Sequence, residues 1–100
     1  MDITTEQIDA WKTEHGTIFK VTPAPGVVII YKPLSRDLYM EIMAKQMEGS
    51  MEDPEVDTVK LCVLNDVAED LFQTRGGLAT VVYEEIMKNS GFTVIESEEL

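Results

Sequence analysis

The chain has 100 residues, 44% of them hydrophobic and 27% charged, which suits one globular domain with a core and leaves no room for a second. Nineteen acidic residues against eight basic ones give a net charge of −11, so phosphate-neutralising contact with nucleic acid and docking to anionic membranes are both disfavoured. No apolar run approaches the roughly 20 residues that span a bilayer, the opening Met1–Glu6 lacks the basic start and apolar core of a secretion signal, and the single Cys62 has no partner for an internal disulfide, so a cytosolic protein is expected.

Taken in chain order, Thr4 and Gln7 have the spacing of a capping box, with Ile3 placed to staple onto Ile8. Ile8 and Trp11 then share a face of a helix that runs to His15 and stops at Gly16. Two runs rich in β-branched and aromatic residues follow, Thr17–Thr22 and Val27–Lys32. Pro23-Ala24-Pro25-Gly26 between them suits a turn, so the pair reads as a hairpin. The second strand is apolar on both faces, so helices should cover one side and another segment the other.

Ser35 can cap a second helix, with Leu34 and Tyr39 at staple positions, Leu38, Ile42 and Met43 as its apolar stripe, and an end at Gly49-Ser50. Asp53-Pro54 opens a third, on which Val56, Val59 and Val63 share a face widened by Leu61 and Leu64. Asn65-Asp66 breaks that run, and Asp66–Gln73 reads as a short helical turn or a loop packed by its own side chains. Arg75-Gly76-Gly77 is a joint before a last helix from Leu78 to Asn89, whose row is Leu78, Val82 and Ile86. Ser90-Gly91-Phe92 should stop it, with Gly91 left-handed and Phe92 folded back onto Met87. The expected fold is therefore α+β: an N-terminal helix and β-hairpin, then a small bundle of three to four helices. Residues 1–92 would form the globular domain and 93–100 a short, mobile acidic tail. Trp11, Phe19, Ile29, Leu38, Ile42, Val59, Val63, Leu78, Val82 and Ile86 should be largely buried.

Little in this sequence suggests catalysis or a bound cofactor. One His and one Cys cannot build a structural zinc site. His15 falls in the last turn of a helix, where a surface or capping role suits it, and Cys62 sits among apolar neighbours as a core residue. Asp53, Glu55 and Asp57 alternate like the start of a calcium loop, but Thr58 stands where glycine is needed and Leu64 where the closing Glu is needed. Arg75-Gly76-Gly77 lacks the rest of a phosphate loop. Acid pairs such as Glu84-Glu85 come with no basic residue arranged to tune them. No enzyme, metal or cofactor is expected. What does stand out is methionine: Met40, Met43, Met47 and Met51 cluster in or just after the second helix, and Met87 lies in the last. Flexible, polarisable Met either fills a core or lines an adaptable surface that accepts another helix.

The order of these segments resembles small phage tail assembly chaperones. Thr5–Lys12 with its Trp11-Lys12 pair, then His15–Val21, is similar to the start of that family. Ile30–Arg36 is similar to its strand exit, Val59–Leu64 to a mid-chain segment, and Leu78, Glu84-Glu85-Ile86 and Ser90-Gly91-Phe92 to its closing helix. The likeness runs from residue 5 to residue 92; it departs at Gln73–Gly77, where a Leu-Pro-Ala-Gly-like turn is expected. The resemblance implies a non-enzymatic assembly factor in the host cell cytoplasm. It would bind the phage tape-measure protein, a long helical chain, and keep it soluble while the tail tube polymerises. The tail-tube protein or a second copy of the chain would be further partners. Tyr39, Met40, Met43, Met47 and Met51 are the candidate partner-binding residues. Two other functions compete with this one, a stable baseplate or neck component of the virion and an acidic DNA-mimic inhibitor. Mimicry wants a continuous acidic stripe, whereas seven acids fall between Asp37 and Asp57 and four before Pro33.

Overall fold

The computed structural model describes residues 3–68, 70–92 and 96–100. Its elements are α1 (Thr5–His15), β1 (Phe19–Ala24), β2 (Val27–Tyr31), α2 (Arg36–Met47), α3 (Pro54–Cys62), α4 (Leu71–Thr74) and α5 (Leu78–Asn89). The α+β architecture is the expected one, with a two-stranded antiparallel hairpin between the first helix and the rest.

Local chemistry fixes most helix ends. The Gln7 N–H donates to Thr4 Oγ1 at 3.1 Å and the Thr4 N–H to Gln7 Oε1 at 2.9 Å, a complete capping box. Ser35 Oγ caps α2 through the Leu38 N–H at 3.2 Å, and Asp53 Oδ1 caps α3 through the Val56 N–H at 3.2 Å, with Pro54 in the first turn. At the end of α5, Gly91 takes a φ of +87° and the Phe92 N–H donates to the Met87 carbonyl at 3.1 Å. That is the six-to-one bond of a Schellman stop, and only glycine adopts its left-handed residue without strain.

The first strand is shifted by two residues from the expected one, while the second begins at Val27 as expected. Phe19 faces Tyr31, Lys20 faces Ile30 and Val21 faces Ile29, but Ala24 faces Val27, so the register slips between Val21 and Ala24. Pro23 sits in that irregularity, where its missing N–H breaks no ladder bond. β1 therefore runs on through Ala24, and Pro25-Gly26 alone makes the turn, with Gly26 at φ +76°.

One face of the hairpin lies on α5. The Phe19 and Tyr31 rings stack at 5.5 Å, and the Tyr31 hydroxyl accepts from Asn89 Nδ2 at 2.7 Å. Ile29, Tyr31, Val59, Cys62, Val82 and Ile86 form the centre of one core, all at or below 1% exposure. The outer edge of β2 is closed by the segment after α3. The Lys32 N–H donates to the Cys62 carbonyl at 3.0 Å and the Leu64 N–H to the Ile30 carbonyl at 2.8 Å, while Tyr31 and Val63 form an antiparallel bridge. This rudimentary third strand explains why α3 ends at Cys62. Val63 is extended rather than helical, and Leu61 points out to solvent instead of widening the buried face.

Six of the ten expected core residues are buried: Ile29, Ile42, Val59, Leu78, Val82 and Ile86. Phe19, Leu38 and Val63 are half-buried at the edge of the core. Trp11 is a clear correction, because α1 has no buried residue and Trp11 itself is only half-buried. α1 instead stands over the other face of the hairpin, where Ile3 and Ile8 border a cleft of about 720 Å³ against Val28, Ile30 and Val67. Of the expected Asp66–Gln73 segment, residues 66–68 form a loop and residues 71–73 lie in the single turn of α4, which buries Phe72. Of the expected tail, Thr93–Ile95 lie outside the described residues, and residues 96–100 are exposed and without regular structure.

Candidate partner-binding face

The five candidate residues of α2 and its exit do not form one surface. Ile42 is the buried centre of the helix, so residues near it in projection face inward and those opposite face solvent. Tyr39 is half-buried: its ring packs on Phe92 at 4.7 Å, and the Arg36 guanidinium lies 5.5 Å above it. Met51 is also half-buried and packs against the core. Met43 is half-buried and lines a small cavity. Only Met40 and Met47 are free, at 51% and 87% exposure. With the exposed Ala44 between them they make an apolar ridge at i, i+4 and i+7 on the outside of α2.

That ridge has an acidic flank. Asp37, Glu41 and Glu48 are all exposed and fall on one row of the helix beside Met40 and Ala44. Glu41 meets Lys45 at 3.7 Å across one turn, an exposed pair worth little. Among the described residues, Asp37 and Glu48 have no cationic partner.

On the inward side, the seam between α2 and α5 encloses a cavity of about 90 Å³. Met43, Gln46 and Tyr39 line it from α2, Tyr83 and Met87 from α5, and Leu34, Ile42 and Thr58 complete it. The Thr58 hydroxyl is buried there and no protein group hydrogen-bonds to it. Buried hydroxyls are nearly always paired, so this one marks a specific place in the fold. Between α3 and α5, Glu55 accepts from the Thr80 hydroxyl at 2.8 Å. Burial, with Glu55 and Tyr39 nearby, pushes the Tyr83 phenol above its ordinary value. In the sequence Thr58 stands out only as the residue that breaks a calcium-loop pattern, and Gln46 does not stand out. Thr58 stands four residues before the buried Cys62, and that spacing is the signal that puts it on the inward face of α3.

Among the described residues no group of three or more His, Cys, Asp or Glu side chains is placed to hold a metal ion, and no helix is long and apolar enough to cross a membrane. Cys62 is fully buried, and burial pushes its thiol up to about 11 despite Lys32 nearby, which makes it a poor nucleophile at neutral pH. His15 lines an open cleft with Lys32, Asp37 and Glu41, whose charges are mixed. Compared with known protein families, curated proteins and solved structures, the chain matches none of them.

Proposed function

We propose that this protein is a non-enzymatic assembly chaperone of the phage tail type, which holds the tape-measure protein soluble in the host cytoplasm by covering an amphipathic helix. The observation that carries this reading is the exposed Met40–Ala44–Met47 ridge on α2, an apolar surface that the protein's own core leaves uncovered. The resemblance of the segment order from Thr5 to Phe92 to small phage tail assembly chaperones is what points to the tape-measure protein as the partner. The charge of −11 suits the role, since it keeps a chain with exposed methionines from aggregating. Tyr39, Met43 and Met51 then support the ridge from below, and Met40 and Met47 touch the partner.

The test is affinity capture of the tagged chain from infected cells. The tape-measure protein should come with it, and Met40→Gln with Met47→Gln should reduce that capture by a factor of about five to thirty. Mass spectrometry of purified particles separates this reading from a stable virion component. A chaperone is absent from the particle, and abundant copies there would sink the proposal.

A further inference from the structure

We propose that the helix received by the Met40–Ala44–Met47 ridge is basic, with lysines or arginines bordering its apolar face. This rests on the reading of α2 as the partner surface and adds the chemistry of what docks there. Two features of the helix carry it. The apolar ridge is too narrow to bury a helix by itself, so the occupant's flanking residues must fall beside it. On the far side from the α5 seam those flanks meet Asp37, Glu41 and Glu48; Glu41 pairs with Lys45, Asp37 and Glu41 also border the cleft that holds His15 and Lys32, and neither Asp37 nor Glu48 is in an ion pair among the described residues. An acidic occupant would be set against three carboxylates, and a neutral one would leave Asp37 and Glu48 partly desolvated without a partner. A basic helix pairs with them and is drawn in by the net charge of −11.

The probe is a pair of synthetic amphipathic peptides of roughly 20 residues that share one leucine and alanine face. One carries lysines on both flanks and the other carries glutamates. Fluorescence anisotropy against the full-length chain should favour the lysine peptide by about tenfold or more, with the advantage shrinking as salt rises. In the variant Asp37→Asn, Glu41→Gln, Glu48→Gln that advantage should fall to about threefold or less, with the circular dichroism spectrum unchanged. Met40→Gln with Met47→Gln should weaken both peptides. Equal binding of the two peptides overturns the proposal. So does a lysine preference untouched by the triple substitution, because the overall charge would then be its cause. Binding of the lysine peptide untouched by the Met substitutions overturns it as well. If both peptides bind alike while the tape-measure protein still co-purifies, the charge proposal fails and the chaperone reading stands. If the peptides discriminate but no tape-measure protein is captured, the chaperone reading fails and this surface still takes a basic helix.

Discussion

Asn65 accepts the Ile30 backbone N–H on its Oδ1 at 2.8 Å, and its Nδ2 returns a bond to the Val28 carbonyl at 2.9 Å. One carboxamide thus supplies the donor and acceptor that a paired strand would offer at that position. Asn65→Ala should cost about 1–3 kcal/mol, because the Ile30 N–H loses its partner in a part-buried setting and the exposed Val28 carbonyl loses its own. Asn65→Asp should be no better, since it keeps the acceptor but turns a carboxylate oxygen toward the Val28 carbonyl. Urea midpoints of the three chains check this, and an Asp variant as stable as the parent would contradict it.

Thr58 invites the opposite experiment. Its hydroxyl is buried without a protein partner, and valine has nearly the same shape with no polar atom to satisfy. Thr58→Val should raise stability by about 1 kcal/mol. A loss of stability on this change would mean that the hydroxyl is bonded in solution, and crystallography of the parent would then be the next measurement.

The methionines should separate by burial. Met40→Gln with Met47→Gln should change the stability by no more than the roughly 0.5 kcal/mol typical of surface changes. Met43→Gln puts an amide into the cavity wall and should cost about 1–2 kcal/mol. Ile42→Ala, at the buried centre of the same helix, should cost about 2–5 kcal/mol. If the Met40 and Met47 pair proves as costly as Met43, the ridge is part of the core and not a free surface.

Alkaline pH provides a fourth check, through Cys62. Its thiol is raised in the folded chain from an ordinary 9.0 to about 11, so the folded state holds its proton longer than the unfolded state does. The stability this contributes is fully present below pH 9 and is lost as pH climbs toward 11, on the order of 2 kcal/mol in all. Tyr31 and Tyr83 act in the same direction at higher pH, since burial raises both phenols. Cys62→Ala should be less stable at pH 7 for lack of packing, yet lose less than the parent between pH 9 and 11. Parallel pH profiles for the two chains would show that the thiol does not titrate across folding.

The elements that the sequence made legible are those with local causes. Thr4 with Gln7, Ser35, Asp53-Pro54 and Gly91 announce helix ends through side-chain caps or a left-handed glycine, and all four appear where their chemistry requires. The periodic row Leu78, Val82, Ile86 announces α5 in the same way. What escaped depends on distant partners. Trp11 looks like a core residue by size, but α1 lies against the back of a hairpin and not within the helical layer. Val63 continues an apolar helical row, but the free edge of β2 claims it as an extended residue. The five candidate residues of the binding face follow one cluster in sequence. The 100° step of the helix sends Met40 and Met47 outward, while Tyr39 and Met43 stay with the α5 seam.

The closure of β2 by residues 62–65 also has a consequence during synthesis. Val27–Tyr31 is an uncharged run of strong strand formers, the composition that stacks into aggregates when its edge is bare. Asn65 lies 35 positions after Ile30, so at about 5–20 residues per second the ribosome delivers the covering segment about 2–7 s after the strand. What arrives in between is the stretch that holds seven acids from Asp37 to Asp57. A nascent chain that must wait with an open sheet edge therefore grows its own repulsive collar first, and charge-neutral versions of that stretch should precipitate during translation even where the finished fold would tolerate them.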